Sequence, residues 1–82
     1  MRRGPKPKPR TTPVGKRLFT LREEQDLTLE TAAEKWEMNK DSLERYELGK
    51  DYIPSHVALR IADREKISLD WLFGRTDKRR VR

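Results

Sequence analysis

The sequence predicts an all-α fold, a compact arrangement of five short helices between residues 14 and 74. Three observations predict it. Apolar residues in this stretch recur three and four positions apart, the spacing of one helical face. No segment alternates strictly between apolar and polar residues, as a half-buried strand would. Residues that start helices (Thr28, Asn39, Ser68) and residues that end them (Gly49, Gly74) stand at the edges of the periodic runs.

The first helix is expected over residues 15–25, where Leu18, Leu21 and Arg22 share a face, and Asp26 and Leu27 break it. The Thr28 hydroxyl is suited to cap a second helix over residues 29–36, with Ala32, Ala33 and Trp36 turned inward. Ala33 is small enough to let another helix approach closely. Glu37, Met38 and Asn39 form a short break. Asn39 caps a third helix, Lys40–Leu48, anchored by Leu43, Tyr46 and Met38 and ended by Gly49. After a loop at residues 50–54, a fourth helix starts at Ser55 or His56 and runs to Arg64, carrying Val57, Ala58, Ile61 and Ala62. Ser68 caps a last short helix, residues 69–73, which Gly74 closes. Trp36 and Trp71 both fall at core spacing, and His56 is expected at the surface.

Composition bounds the function. The 82 residues contain 20 Lys and Arg, 14 Asp and Glu, one His and no Cys. A chain of this size buries only about 60% of its unfolded surface, so one domain with a modest core is expected. Without Cys there is no disulfide scaffold, thiol nucleophile or thiolate zinc site. With His56 alone there is neither a zinc cluster nor a Ser–His–Asp arrangement. The acids within residues 21–30 have no partnered His or metal motif, so neither catalysis nor a cofactor is expected. No apolar run is long enough for a transmembrane helix or a secretory leader, so no membrane association is expected and the default compartment is the cytoplasm.

The net charge of +6 is unevenly distributed. Residues 1–17 carry seven basic residues (Arg2, Arg3, Lys6, Lys8, Arg10, Lys16 and Arg17) and no acid, while residues 75–82 carry +4 and residues 18–74 carry −5. Four of the five prolines lie within residues 1–13, which reads as a flexible, extended basic arm. Residues 75–82, without apolar periodicity, read as a basic tail that frays. Basic ends about an acidic centre suggest contact with nucleic acid, whose phosphates attract Lys and Arg whatever the base sequence. The second and third helices are separated by about three residues, the spacing of a helix-turn-helix. A helix about 10–12 Å wide that projects from such a unit fits a DNA major groove about 12 Å across.

Four stretches carry a family likeness: GKRLFTLREEQDLT, ETAAEKW, NKDSLERYELGK and RIADREKISLDWLFG. Together they resemble the phage repressor and Cro family, the XRE-type helix-turn-helix, over about residues 15–74. The resemblance implies a lambda-repressor-like five-helix domain that binds double-stranded operator DNA, usually as a homodimer. It implies base contacts from Lys40, Asp41 and Arg45, with Ser42 and Glu44 beside them, and phosphate contacts from Thr28, Leu29, Lys50 and Tyr52. Arg22 and Glu47 match a pair that such proteins use structurally. Three positions depart from the pattern. Leu29 stands where Gln is common, Glu37 at the turn glycine, and Glu65 at a usually apolar site near the end of the fourth helix.

The expected function is a Cro-like transcriptional regulator, a repressor by preference, with no room for a separate dimerisation or cleavage domain. The dimer contact is expected at residues 69–73 and nearby loops. The alternative is a protein-interaction module, such as an antitoxin or accessory protein, whose partner would be a toxin or polymerase. Leu29 and Phe73 would be its exposed apolar residues.

Overall fold

The computed structural model describes residues 12–80. Its five helices are α1 (Pro13–Glu24), α2 (Leu29–Lys35), α3 (Lys40–Leu48), α4 (Ser55–Glu65) and α5 (Leu69–Leu72), with no strand among the described residues. The expected arm residues Arg2, Arg3, Lys6, Lys8 and Arg10 lie outside the described residues.

α1 starts two residues before its expected position and takes in Pro13, the last residue assigned to the arm. The Thr12 hydroxyl accepts the Gly15 N–H at 3.0 Å, and Pro13 occupies the first helical turn. Proline has no N–H there to lose, and its fixed φ suits the helix. A prolyl residue therefore opens this helix, although prolines upstream signalled extended chain. Thr28, Asn39 and Ser68 cap α2, α3 and α5 through their side chains, as the sequence indicated. Only α4, which follows Pro54, lacks a side-chain cap.

The core is assembled from all five helices. Leu18, Trp36, Leu43, Ile61 and Leu72 are fully buried. α1 packs against α3 and α5, α2 against α3, and α4 against α5. Ala32 and Ala33 are buried, and their small side chains allow α2 to lie close to α3. Leu29, expected at the surface, is instead half-buried: the first residue of α2, it packs against the core cluster.

Each of the five described helices ends in the same way. The chain turns through a left-handed residue, at Asp26, Glu37, Gly49, Lys66 and Gly74. The N–H of the next residue then reaches back five positions: Leu27 to Arg22, Met38 to Ala33, Lys50 to Arg45, Ile67 to Ala62 and Arg75 to Asp70, all between 2.7 and 3.0 Å. This is the Schellman closure. The sequence announced only its two glycine examples. At Asp26, Glu37 and Lys66 the next residue is apolar (Leu27, Met38, Ile67) and packs on or in the core. That burial compensates for backbone strain of order 1 kcal/mol at a non-glycine left-handed residue.

The tail differs from expectation. Residues 75–80 fold back across α1 and α5. The Ser68 N–H donates to the Arg79 carbonyl at 2.8 Å, and the Arg79 guanidinium pairs with both carboxylate oxygens of Glu24 at 3.0 and 2.7 Å. The guanidinium groups of Arg17 and Arg79 lie 4.5 and 4.6 Å from the Trp71 ring. Cation–π attraction and ion pairing thus supply the order that apolar periodicity did not predict.

Candidate functional site

α3 is fixed from within. Leu43 on its inner face is fully buried and Tyr46 is half-buried against the core. At its start, the Asn39 carboxamide oxygen accepts from the N–H groups of Asp41 and Ser42 at 2.8 and 3.3 Å. At its end, Glu47 takes a two-pronged bond from Arg22 of α1, with Nε to Oε2 at 2.9 Å and Nη2 to Oε1 at 3.0 Å. Arg22 Nη1 also donates to the Leu27 carbonyl at 3.0 Å, so one guanidinium ties the end of α1 to the last turn of α3. The hydrogen bond to Glu47 holds the Arg22 pKa above its ordinary value against the opposing effect of burial.

The turn between α2 and α3 is held from α4, by contacts the sequence did not reveal. Arg60 Nη1 donates to the carbonyls of Trp36 at 3.4 Å and Glu37 at 3.0 Å. Arg64 donates to the Lys35 carbonyl and to the Glu37 carboxylate, each at 2.6 Å. Two arginines one helical turn apart thereby satisfy the last carbonyls of α2, where positive charge is favoured. Glu65 lies one residue further on. Its carboxylate accepts from the Trp36 indole at 2.7 Å and the Gln25 amide at 2.8 Å, and lies 3.1 Å from Lys35 Nζ. An acid at this site is therefore satisfied rather than stranded. Burial pushes its pKa up, but the bonds from Trp36, Lys35 and Gln25 outweigh that and leave it below the ordinary glutamate value.

With the inner face and both ends held, Lys40, Asp41, Glu44 and Arg45 are exposed and Ser42 is half-buried. Lys40 and Asp41 are only loosely associated, at 3.9 Å. Arg45 is engaged more closely, with Nε 2.7 Å and Nη2 3.3 Å from the two carboxylate oxygens of Asp51 in the following loop. That pairing raises the pKa of Arg45 and lowers that of Asp51. Beside it Lys50 is exposed, and the Tyr52 ring stands 91% exposed. Such exposure leaves an aromatic ring without packing within its own chain.

Thr28 is exposed, and its hydroxyl oxygen accepts the Thr31 N–H at 3.1 Å. Because the Leu29 side chain packs inward, any outward contact at that position falls to its backbone N–H. Lys16 is exposed on α1. Arg17 is committed to Trp71 and lies 3.6 Å from Asp77, so it belongs to the folded domain and not to a free basic arm. α3 and the loop after it expose Lys40, Arg45, Lys50 and Tyr52 together with the acids Asp41, Glu44 and Asp51.

Among the described residues no group of three or more His, Asp or Glu side chains is placed to hold a metal ion, and no helix is long and apolar enough to cross a membrane. The arrangement presents a polar outer face on a helix anchored by its buried inner side, with Arg45 held by Asp51. A family model described as a helix-turn-helix domain matches residues 13–64, from the first residue of α1 almost to the end of α4. No curated protein matches the chain.

Proposed function

The chain belongs to the helix-turn-helix domain family, and on that premise we propose that it is a regulator that binds double-stranded DNA and reads base sequence with α3 in the major groove. The observation that carries this reading is the division of α3 into a buried inner face on Leu43 and an outer face of exposed Lys40, Asp41, Glu44 and Arg45. A helix must be both held and uncovered to carry sequence information. In this reading Lys40 and Arg45 donate to guanine, Asp41 accepts from a cytosine amine, and Ser42 and Glu44 adjust the fit beside them. Thr28, the backbone N–H of Leu29, Lys50 and Tyr52 touch phosphates and set the register.

The chain acts as a homodimer on a two-fold site, with half-sites about 34 Å apart. Exposed Phe73 and a shallow groove lined by Leu59, Ala62, Ile67 and Leu69 offer the apolar surface for a second copy. The groove is rimmed by Asp63, Lys66 and Arg80, charges of both signs that a two-fold contact can pair with each other. Occupancy of a promoter then excludes polymerase or a competing activator, which makes the regulator a Cro-like repressor.

Selection of bound duplexes from a random pool tests this directly. An enriched motif with two-fold symmetry is the expected result. A chain that binds no duplex even at low salt would refute DNA reading and favour a protein-interaction module, such as an antitoxin. An asymmetric motif would refute the dimer alone.

A further inference from the structure

Asp51 touches no DNA group in the proposed complex, yet it grips the side chain to which base reading is assigned. The chain reverses after α3 through Gly49, whose φ of 77° lets the Lys50 N–H bond the Arg45 carbonyl at 2.9 Å. The next residue is Asp51, and its carboxylate takes Nε and Nη2 of the same arginine. The backbone and the side chain of Arg45 are thus held by one turn.

A guanidinium presents two forked edges. The lateral edge, Nε with one hydrogen of Nη2, is occupied by Asp51. The terminal edge, Nη1 with the other hydrogen of Nη2, has no partner among the described residues. The terminal edge is one that can match guanine O6 and N7. An unclamped surface arginine samples many rotamers and must lose that freedom on docking. An exposed ion pair contributes little to stability, so the value of a two-pronged clamp at this site lies in orientation.

We propose that Asp51 is the positioning residue for guanine recognition, clamping the lateral edge of Arg45 so that its terminal edge is offered to O6 and N7 of one guanine in the major groove. The inference rests on the proposed reading of DNA by α3 and goes a step further, naming the base and the residue that makes Arg45 select it. The same carboxylate repels phosphate and discourages Arg45 from settling on the backbone of arbitrary sequence. Both effects raise the ratio of specific to non-specific binding.

The test uses the full chain with duplexes enriched by the wild type from a random pool, each base pair then varied singly. Arg45→Ala locates the guanine by abolishing discrimination at one position. Asp51→Ala should reduce discrimination at that same position about tenfold and leave the other positions unchanged. It should also tighten binding to random duplex, because a charge that repels phosphate is gone. Asp51→Glu should recover part of the discrimination. The double variant should discriminate no worse there than Arg45→Ala, as expected for residues acting through one shared interaction. Partial unfolding would weaken every position alike, so an effect confined to one base pair separates positioning from a structural role. If Asp51→Ala keeps full discrimination, or binds the enriched duplex more tightly with discrimination intact, Asp51 is a bystander or a competitor and the proposal falls. A wild type that enriches no sequence overturns the DNA-reading proposal itself, a result distinct from failure of the clamp.

Discussion

At the scale of single residues, the carboxylate of Glu65 is stable in its half-buried site because Trp36, Gln25 and Lys35 converge on it. Its pKa is lower in the folded chain than the value of about 4.3 for an unperturbed glutamate. The unfolded chain therefore takes up this proton first as acid is added. The stabilisation is fully present above the unfolded pKa and is lost as pH falls through the folded one. Glu65→Gln keeps an acceptor for the Trp36 indole but loses the charge. Its melting temperature should be lower than the parent's at pH 7, and the difference should shrink as pH falls from about 5 towards 3. A difference that stays constant across that range would show that the charge at Glu65 contributes nothing. Asp51 and Glu65 mark the limit of what single residues reveal in the sequence. Both are acids in an acid-rich stretch, and their partners lie 6, 29, 30 and 40 positions away. By contrast Thr28, Asn39, Ser68, Gly49 and Gly74 were legible, because a cap or a left-handed turn acts on residues within one helical turn of itself.

At the scale of elements, the helix-turn-helix is held by connections between helices that periodicity does not encode. α2 and α3 could be found from spacing, and so could the faces they bury. The arginines of α4 that bind the α2 carbonyls could not, because they look like an ordinary solvated face. The Arg22–Glu47 pair stands between the two cases, suggested by resemblance and given its two-pronged geometry by the structure. The Glu47 side chain is only 8% exposed and that of Arg22 17%. Glu47→Ala would leave the guanidinium confined without its counter-charge. Chemical unfolding should register a loss of about 3 kcal/mol, near the low end for breaking a buried pair. A loss below about 1 kcal/mol would mean that the pair behaves like an exposed one.

Helix ends offer a second prediction at this scale. Lys66 closes α4 at φ 57°, so Lys66→Gly should stabilise the chain by about 0.5–1 kcal/mol. Gly74 also has positive φ, 80°, and a β-carbon there would come within 2.6 Å of Pro13 Cβ. Gly74→Ala should therefore destabilise by about 1–3 kcal/mol, through strain and a clash with the first turn of α1. The two substitutions have opposite signs at the same backbone conformation, and equal signs in thermal melts would contradict this account of helix closure.

Across the whole molecule, the described residues and the net charge fall in different parts of the sequence. Residues 12–80 contain fourteen basic and fourteen acidic side chains, so the entire +6 comes from residues 1–11 and Arg82. A neutral domain with Asp41 and Glu44 exposed on α3 gains little from non-specific attraction to phosphate, which under the proposed function suits discrimination better than affinity. On the proposed reading, the sequence-independent part of DNA binding is assigned to the basic residues Arg2, Arg3, Lys6, Lys8 and Arg10. Removing residues 1–11 tests this division. The cut must spare Thr12 and Pro13, which cap and open α1, or unfolding would be mistaken for weaker attraction to phosphate. The truncated chain should melt with the parent. Its affinity for random and enriched duplex should fall by a similar factor, and its salt slope should flatten by about 0.9 for each phosphate the arm had neutralised. Discrimination among single-base variants should survive, since the proposed function assigns it to α3. If the slope were unchanged, the arm would be a bystander, and the attraction to phosphate would have to come from Lys16, Lys40 and Lys50 within the neutral domain.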